Sequence, residues 1–170
     1  MSYVDYGYYQ ALYGDQAIPE ADFNRLSWDA MRRLDSATTG IDGIRKMKVA
    51  FPTDEDAAEA VRRCACALID ILYQIQQAEN TARKASGYVE TANGLQGKVI
   101  SSVSAGNESV SYAVGSSTAS KTWTDMVLSD RSAREKVMSD TIRDYLSGIQ
   151  DANGVNLLYM GDYPLHRLNL

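Results

Sequence analysis

Histidine is almost absent from this chain, with His166 as its only copy. Catalysis or metal binding that depends on paired imidazoles is therefore excluded. His166 has Asp162 before it but no candidate nucleophile nearby in sequence, so it reads as a contact or surface residue rather than a general base. Cysteine is nearly as scarce, with Cys64 and Cys66 only. Two positions apart in a helical pattern, they point in different directions, which argues against a disulfide. Without a neighbouring His or further Cys they make a poor metal site, so they read as small buried apolar residues.

Long apolar runs are also missing. The most apolar stretch, 64–75, is interrupted by Asp70 and Gln74 and is too short to span a bilayer. The first ten residues contain no basic residue and no apolar run, which is unlike a secretory signal. A soluble protein made in a cytoplasm is the expectation. Basic residues are outnumbered, 17 against 22 acidic ones, for a formal charge of -5. That balance disfavours a protein that grips nucleic acid, because such grip needs cations to replace the phosphate counterions. It is compatible with a channel through which DNA slides, since an acidic lining repels phosphates.

What is present is a core. Of the 170 residues, 45% are hydrophobic, enough to build one ordinary domain. Aromatic usage is lopsided: 11 Tyr against 2 Phe and 2 Trp, a bias that suits protein-protein contacts.

The order of elements is legible from periodicity and caps. Tyr6, Tyr9, Leu12 and Tyr13 fall at helical spacing and stop at Gly14, which predicts a short first helix. Ile18, Pro19 and Glu20 start a second, with Phe23, Leu26, Ala30, Leu34 and Ala37 along one face. A connector over 41–51 leads to the longest helix. Thr53 is its expected N-cap, with Asp54, Glu55 and Asp56 in the first turn. From Val61 to Ile75 this helix is apolar on nearly every side, which places it at the centre of the bundle or of a subunit contact. It should decay around Ser86 and Gly87.

The grammar then changes. Val110, Tyr112 and Val114 alternate with small residues, and Gly106 with Asn107 supplies turn chemistry, so a β-hairpin is expected over about 97–114. Trp123, Met126 and Val127 return the chain to helix. Asp130 is a possible restart, and Val137, Met138, Ile142, Tyr145 and Leu146 continue the stripe to Gly148. The last stretch, 151–170, has no helical period yet is strongly apolar, so it should pack on its own domain or on a partner. The expected architecture is mainly α: a helical bundle around one long central helix, with a β-hairpin insertion and an extended C-terminal tail. The helical domain spans 1–150 and the C-terminal arm 151–170.

No catalytic constellation emerges. Carboxylates cluster at helix starts, where capping explains them. Asp70 is the exception, and pairing with a cation of its own or a neighbouring subunit is the favoured reading, ahead of a functional carboxyl with a raised pKa. Gly87, Gly94 and Gly97 lack phosphate-loop spacing. The basic groups Arg32 with Arg33, Arg45 with Lys46 and Lys48, and Arg62 with Arg63 show no interleaved aromatics. They read as solvated faces or salt bridges to a neighbour.

Helices, a long central helix, a Ser-rich hairpin, a final helix and a tail together resemble the phage head-tail connector (adaptor) family. The run Gly97, Lys98, Val99, Ile100, Ser101, Ser102, Val103, Ser104, followed by Ser109, Val110, Ser111 and Tyr112, is similar to the two strands of that family's hairpin. The phrase from Asp140 through Ile142 and Tyr145 to Leu146 sits where the family has its last helix, and Tyr9 to Gly14 resembles the family's start. The turn departs from the family, carrying Ala105, Gly106, Asn107 and Glu108 in place of Gly-Asp.

The resemblance implies a virion protein without enzymatic activity or cofactor. It would form a ring beneath the portal, of about twelve subunits to match it, around a channel in which DNA is only cargo. Its partners would be the portal protein, a stopper or tail-completion protein and its own copies, with no membrane. Contacts would fall on the hairpin (Val99, Val103, Val110, Tyr112, Val114) and on the tail (Leu158, Tyr159, Met160, Tyr163, Leu165, His166). The competing reading is a small helical regulatory or scaffolding module that binds one protein partner through its apolar tail.

Overall fold

A computed structural model describes residues 2–85, 88–91, 94–97 and 130–164. Helix α1 (Tyr6–Tyr13) starts where the Asp5 side chain accepts from the amide of Tyr8 at 2.8 Å and ends at Gly14. A short 3-10 turn leads to α2 (Glu20–Ala37), which Pro19 caps from just outside the helix. The connector contains a four-residue helix, α3 (Lys46–Val49). Helix α4 (Glu55–Ala85) follows, and Asp54 rather than Thr53 caps it: its carboxylate accepts from the Ala57 amide at 2.9 Å. Asp54 stands directly before the first turn, where its carboxylate reaches a free amide three residues on, and Thr53 lies one position too far out. Helix α5 (Arg131–Leu146) begins after Asp130, which accepts from the Ser132 amide at 2.8 Å; the expected helical stretch of Trp123, Met126 and Val127 lies outside the described residues.

Helix α4 is the spine. Val61, Cys64, Ala65, Cys66, Leu68 and Ile69 have no accessible surface, and α2 and α5 pack on it from two sides. Both flanking helices run against its direction. Arg25, early in α2, donates to Gln76 late in α4, and Arg134 at the start of α5 pairs with Glu79 at 2.7 Å. Arg33 of α2 and Glu135 of α5 close the third side at 2.7 Å. The faces match the sequence pattern: Phe23, Leu26, Ala30, Met31 and Leu34 from α2, and Met138, Ile142 and Leu146 from α5, are buried. Each large apolar side chain so enclosed contributes about 1.5–3 kcal/mol.

The tyrosine excess serves this core more than a contact surface. Tyr3 and Tyr9 are buried, while Tyr6, Tyr8, Tyr13 and Tyr73 pack against the core at its edge. Tyr9 stacks on Tyr13 with ring centroids 4.6 Å apart and lies 5.3 Å from Phe23, and Tyr3 stacks on Phe51 at 5.6 Å.

After α4, strands β1 (Tyr88–Thr91) and β2 (Gly94–Gly97) pair antiparallel, Tyr88 opposite Gly97. This pair precedes the hairpin expected over 97–114, which lies outside the described residues beyond Gly97. Beyond α5 the chain turns at Gly148, whose φ of 81° is a left-handed conformation natural to glycine at a helix end. The described part of the expected arm, 151–164, does not project: it crosses back over the body as a strap, with Leu157 and Tyr163 buried beneath it.

Candidate functional site

The strap is fastened by Lys46, which the sequence suggested to be solvated or ion-paired with a neighbour and which has no accessible surface at all. Its Nζ donates to the carbonyl of Leu157 at 3.1 Å and to that of Tyr159, and lies 5.8 Å from the centre of the Tyr159 ring. Burial pulls the ammonium pKa below its ordinary value, opposed by the negative charges of Asp42 and Asp151. A buried ammonium must have acceptors close by, and the two carbonyls are those acceptors.

Two carboxylates hold the rest of the strap. Asp42 accepts from the amides of Ile44 at 2.9 Å and Tyr163 at 2.6 Å, and these bonds lower its pKa. Asp151, itself buried, accepts from the amides of Asn153 and Val155, both at 2.9 Å, and from the Tyr163 hydroxyl at 2.6 Å. Desolvation, then that hydrogen bond, raises the Tyr163 pKa. Gly40 allows the close approach: a Cβ there would stand 2.8 Å from the carbonyl oxygen of Gly161.

This fastening presents an apolar ledge to solvent. The amide of Ile41 donates to the carbonyl of Met160 at 3.0 Å, which sets the two side chains on adjacent chain segments. Ile41 is 81% exposed, Met160 60% and Tyr159 52%, far above the usual value for large apolar side chains in a core. Beside the ledge, Met160 and Leu158 join Ala37 of α2 and Met138 and Ile142 of α5 around a groove of about 420 Å³.

A second groove, of about 690 Å³, lies between α2 and the connector and is lined by Trp28, Arg32, Arg45 and Lys48 among others. Basic residues that are separate in sequence thus share one site with an aromatic. Arg32 stands 5.5 Å from the centre of the Trp28 ring, and Lys48 pairs with Asp35 at 3.3 Å.

The residues proposed from sequence distribute unevenly. Tyr159 and Met160 are on the ledge, Leu158 lines the groove beside it, and Tyr163 is buried inside the chain's own fold, where it anchors the strap. Leu165, His166, Val99, Val103, Val110, Tyr112 and Val114 lie outside the described residues. Ile41, Trp28 and Lys46 were missed. An isoleucine ahead of Asp42 and Gly43 was a weak signal for an exposed apolar turn residue; no local signal marks Lys46.

The carboxylates have plain duties. Asp5, Asp54 and Asp130 cap helices. Asp70 accepts from Gln74 one turn on at 2.7 Å; of the two partners expected for it, a cation of its own chain is not found among the described residues, and the other would lie on a neighbouring subunit. The amide of Gln74 satisfies the carboxylate locally, while burial raises its pKa. Burial likewise pushes the thiols of Cys64 and Cys66 up to about 12. Among the described residues no cluster of His, Cys, Asp and Glu is placed to hold a metal ion, and no helix is long and apolar enough to cross a membrane. Comparison with protein-family models, curated proteins and solved structures finds no match.

Proposed function

We propose that this chain is a structural assembly subunit, a head-tail connector that forms a ring under a phage portal and joins capsid to tail around a DNA channel. The observation that carries the reading is the ledge of Ile41, Tyr159 and Met160, apolar side chains held in solvent by a strap that is itself firmly anchored. Apolar surface kept exposed on a rigid frame is suited to burial against another protein, because little conformational entropy remains to be lost on binding. The element order and the resemblance of the segment from Gly97 to Tyr112 supply the particular assembly. Portal, stopper or tail-completion protein and neighbouring copies are the partners, with DNA as cargo.

Native mass spectrometry of the chain with and without the portal tests this. A ring, alone or seeded by the portal, is the expected result, and a persistent monomer without portal affinity overturns it. The second reading, a scaffolding module that uses an apolar tail, draws on the same ledge. It predicts a one-to-one complex with a single protein and no ring under any condition.

A further inference from the structure

Resting on the ring reading, we propose that the groove of Trp28, Arg32, Arg45 and Lys48 receives the acidic first turn of α4 from a second copy of this chain. The groove is a local exception in a chain of charge -5. Its lining carries three cations and one carboxylate, Asp35, which Lys48 already engages at 3.3 Å. Arg32 is held against the Trp28 ring, and Arg45 is exposed with no ion pair among the described residues. Trp28 is 64% exposed. An indole and two arginines beside one cleft are the residue types that anchor protein contacts, and their free charge calls for carboxylates.

The same chain carries the complement. Asp54, Glu55 and Asp56 are exposed at the start of α4. Asp54 is engaged as the cap, whereas Glu55 and Asp56 have no ion-pair partner among the described residues. The acidic turn borders a separate hollow lined by Thr53, Asp54, Asp56 and residues 148–151, which shares no residue with the basic groove. Each copy therefore offers both halves, and among the described residues neither is satisfied internally. That is the requirement for a heterologous, head-to-tail contact, which closes into a ring when the rotation per step permits. Nucleic acid fits less well, since only two cations are unengaged and the molecule as a whole repels phosphate.

Sedimentation velocity on the full chain, over a range of concentration and salt, tests the contact. Arg45→Glu should weaken self-association by roughly tenfold or more, and so should Glu55→Arg with Asp56→Arg. Mixing these two variants, or combining all three substitutions in one chain, should restore it. Trp28→Ala, at an exposed site, should weaken association while circular dichroism stays unchanged. Reversal variants that associate like the wild type overturn the contact and leave the ring reading standing. So does an Arg45→Glu variant that self-associates normally but loses the portal, or that loses wild-type binding to a DNA oligonucleotide. A wild-type chain that remains monomeric with and without portal overturns both.

Discussion

Lys46 Nζ and the carbonyl oxygen of Leu157 are 3.1 Å apart, although 111 residues of chain separate them. The contact joins the connector between α2 and α4 to the strap beyond α5, and so decides where Tyr159 and Met160 appear on the surface. Lys46 also neighbours Asp42 and Asp151, the carboxylates that hold Tyr163.

Lys46→Met keeps the length of the side chain and removes its donors. It should cost roughly 2–4 kcal/mol, because the carbonyls of Leu157 and Tyr159 lose their partner in a dry site. Urea unfolding measures the loss. Limited proteolysis should show faster cleavage within 151–164 than in the wild type, and equal rates would deny Lys46 its role as the fastening.

Tyr163→Phe preserves the buried ring and deletes the hydroxyl that donates to Asp151 and accepts from Asn153 at 2.7 Å. A loss of about 1–3 kcal/mol is expected, since the Asp151 carboxylate is left with fewer donors. Thermal melts of the two proteins at neutral pH check it, and an unchanged midpoint would show that water replaces the hydroxyl.

Alkaline pH should unfold the protein. The Cys64 and Cys66 thiols are raised from 9.0 to about 12, and the Tyr9 phenol from 10.0 to about 12. In each case burial is the first cause, because it penalises the anion. Raised acids contribute stability that is intact below their unfolded values and is lost as pH rises through the folded ones. Stability should therefore be flat near neutrality and fall between about pH 9 and 12. Below that window a thiol reagent should label native protein slowly and urea-unfolded protein fast; rapid labelling of the native state would contradict the burial.

Ile41→Asp combined with Met160→Asp should leave helix content and unfolding midpoint nearly unchanged, as exposed substitutions usually do within about 0.5 kcal/mol. Assembly with copies or with the portal should fall sharply, since each carboxylate would have to be desolvated in the contact. Native mass spectrometry on the double variant reads this directly, and undiminished assembly would remove the ledge from the interface.

Much of the helical body was legible from sequence. The Gly14 stop, the Pro19-Glu20 start and the Asp130 cap are decided within one turn of chain, by amides and side chains that are already neighbours. The apolar circumference of α4 announced that it would be enclosed, because no single-sided packing could cover Val61, Cys64, Leu68 and Ile69 together with Ile71 and Leu72. The choice between Thr53 and Asp54 as cap was missed by one residue, since both have an acceptor oxygen and only the geometry of the first turn separates them.

The candidate site was legible only in part. Tyr159 and Met160 were picked out by being apolar in a segment without period, but the same criterion selected Tyr163, which is buried. Nothing within reach of Lys46 along the chain distinguishes it from the exposed Lys48 two residues on.

The sequence by itself therefore determined α1, α2, α4 and α5, their faces and the burial of the two cysteines, because periodicity and capping act over three or four residues. Tertiary structure alone decided that Lys46 is dry, that Ile41 lies beside Met160, that most tyrosines turn inward and that Trp28 shares a groove with Arg45. Each of those facts depends on which distant segment returns to cover or neighbour a residue, and that is set by the packing of α2 and α5 on α4 and by the path of the strap, not by any local pattern.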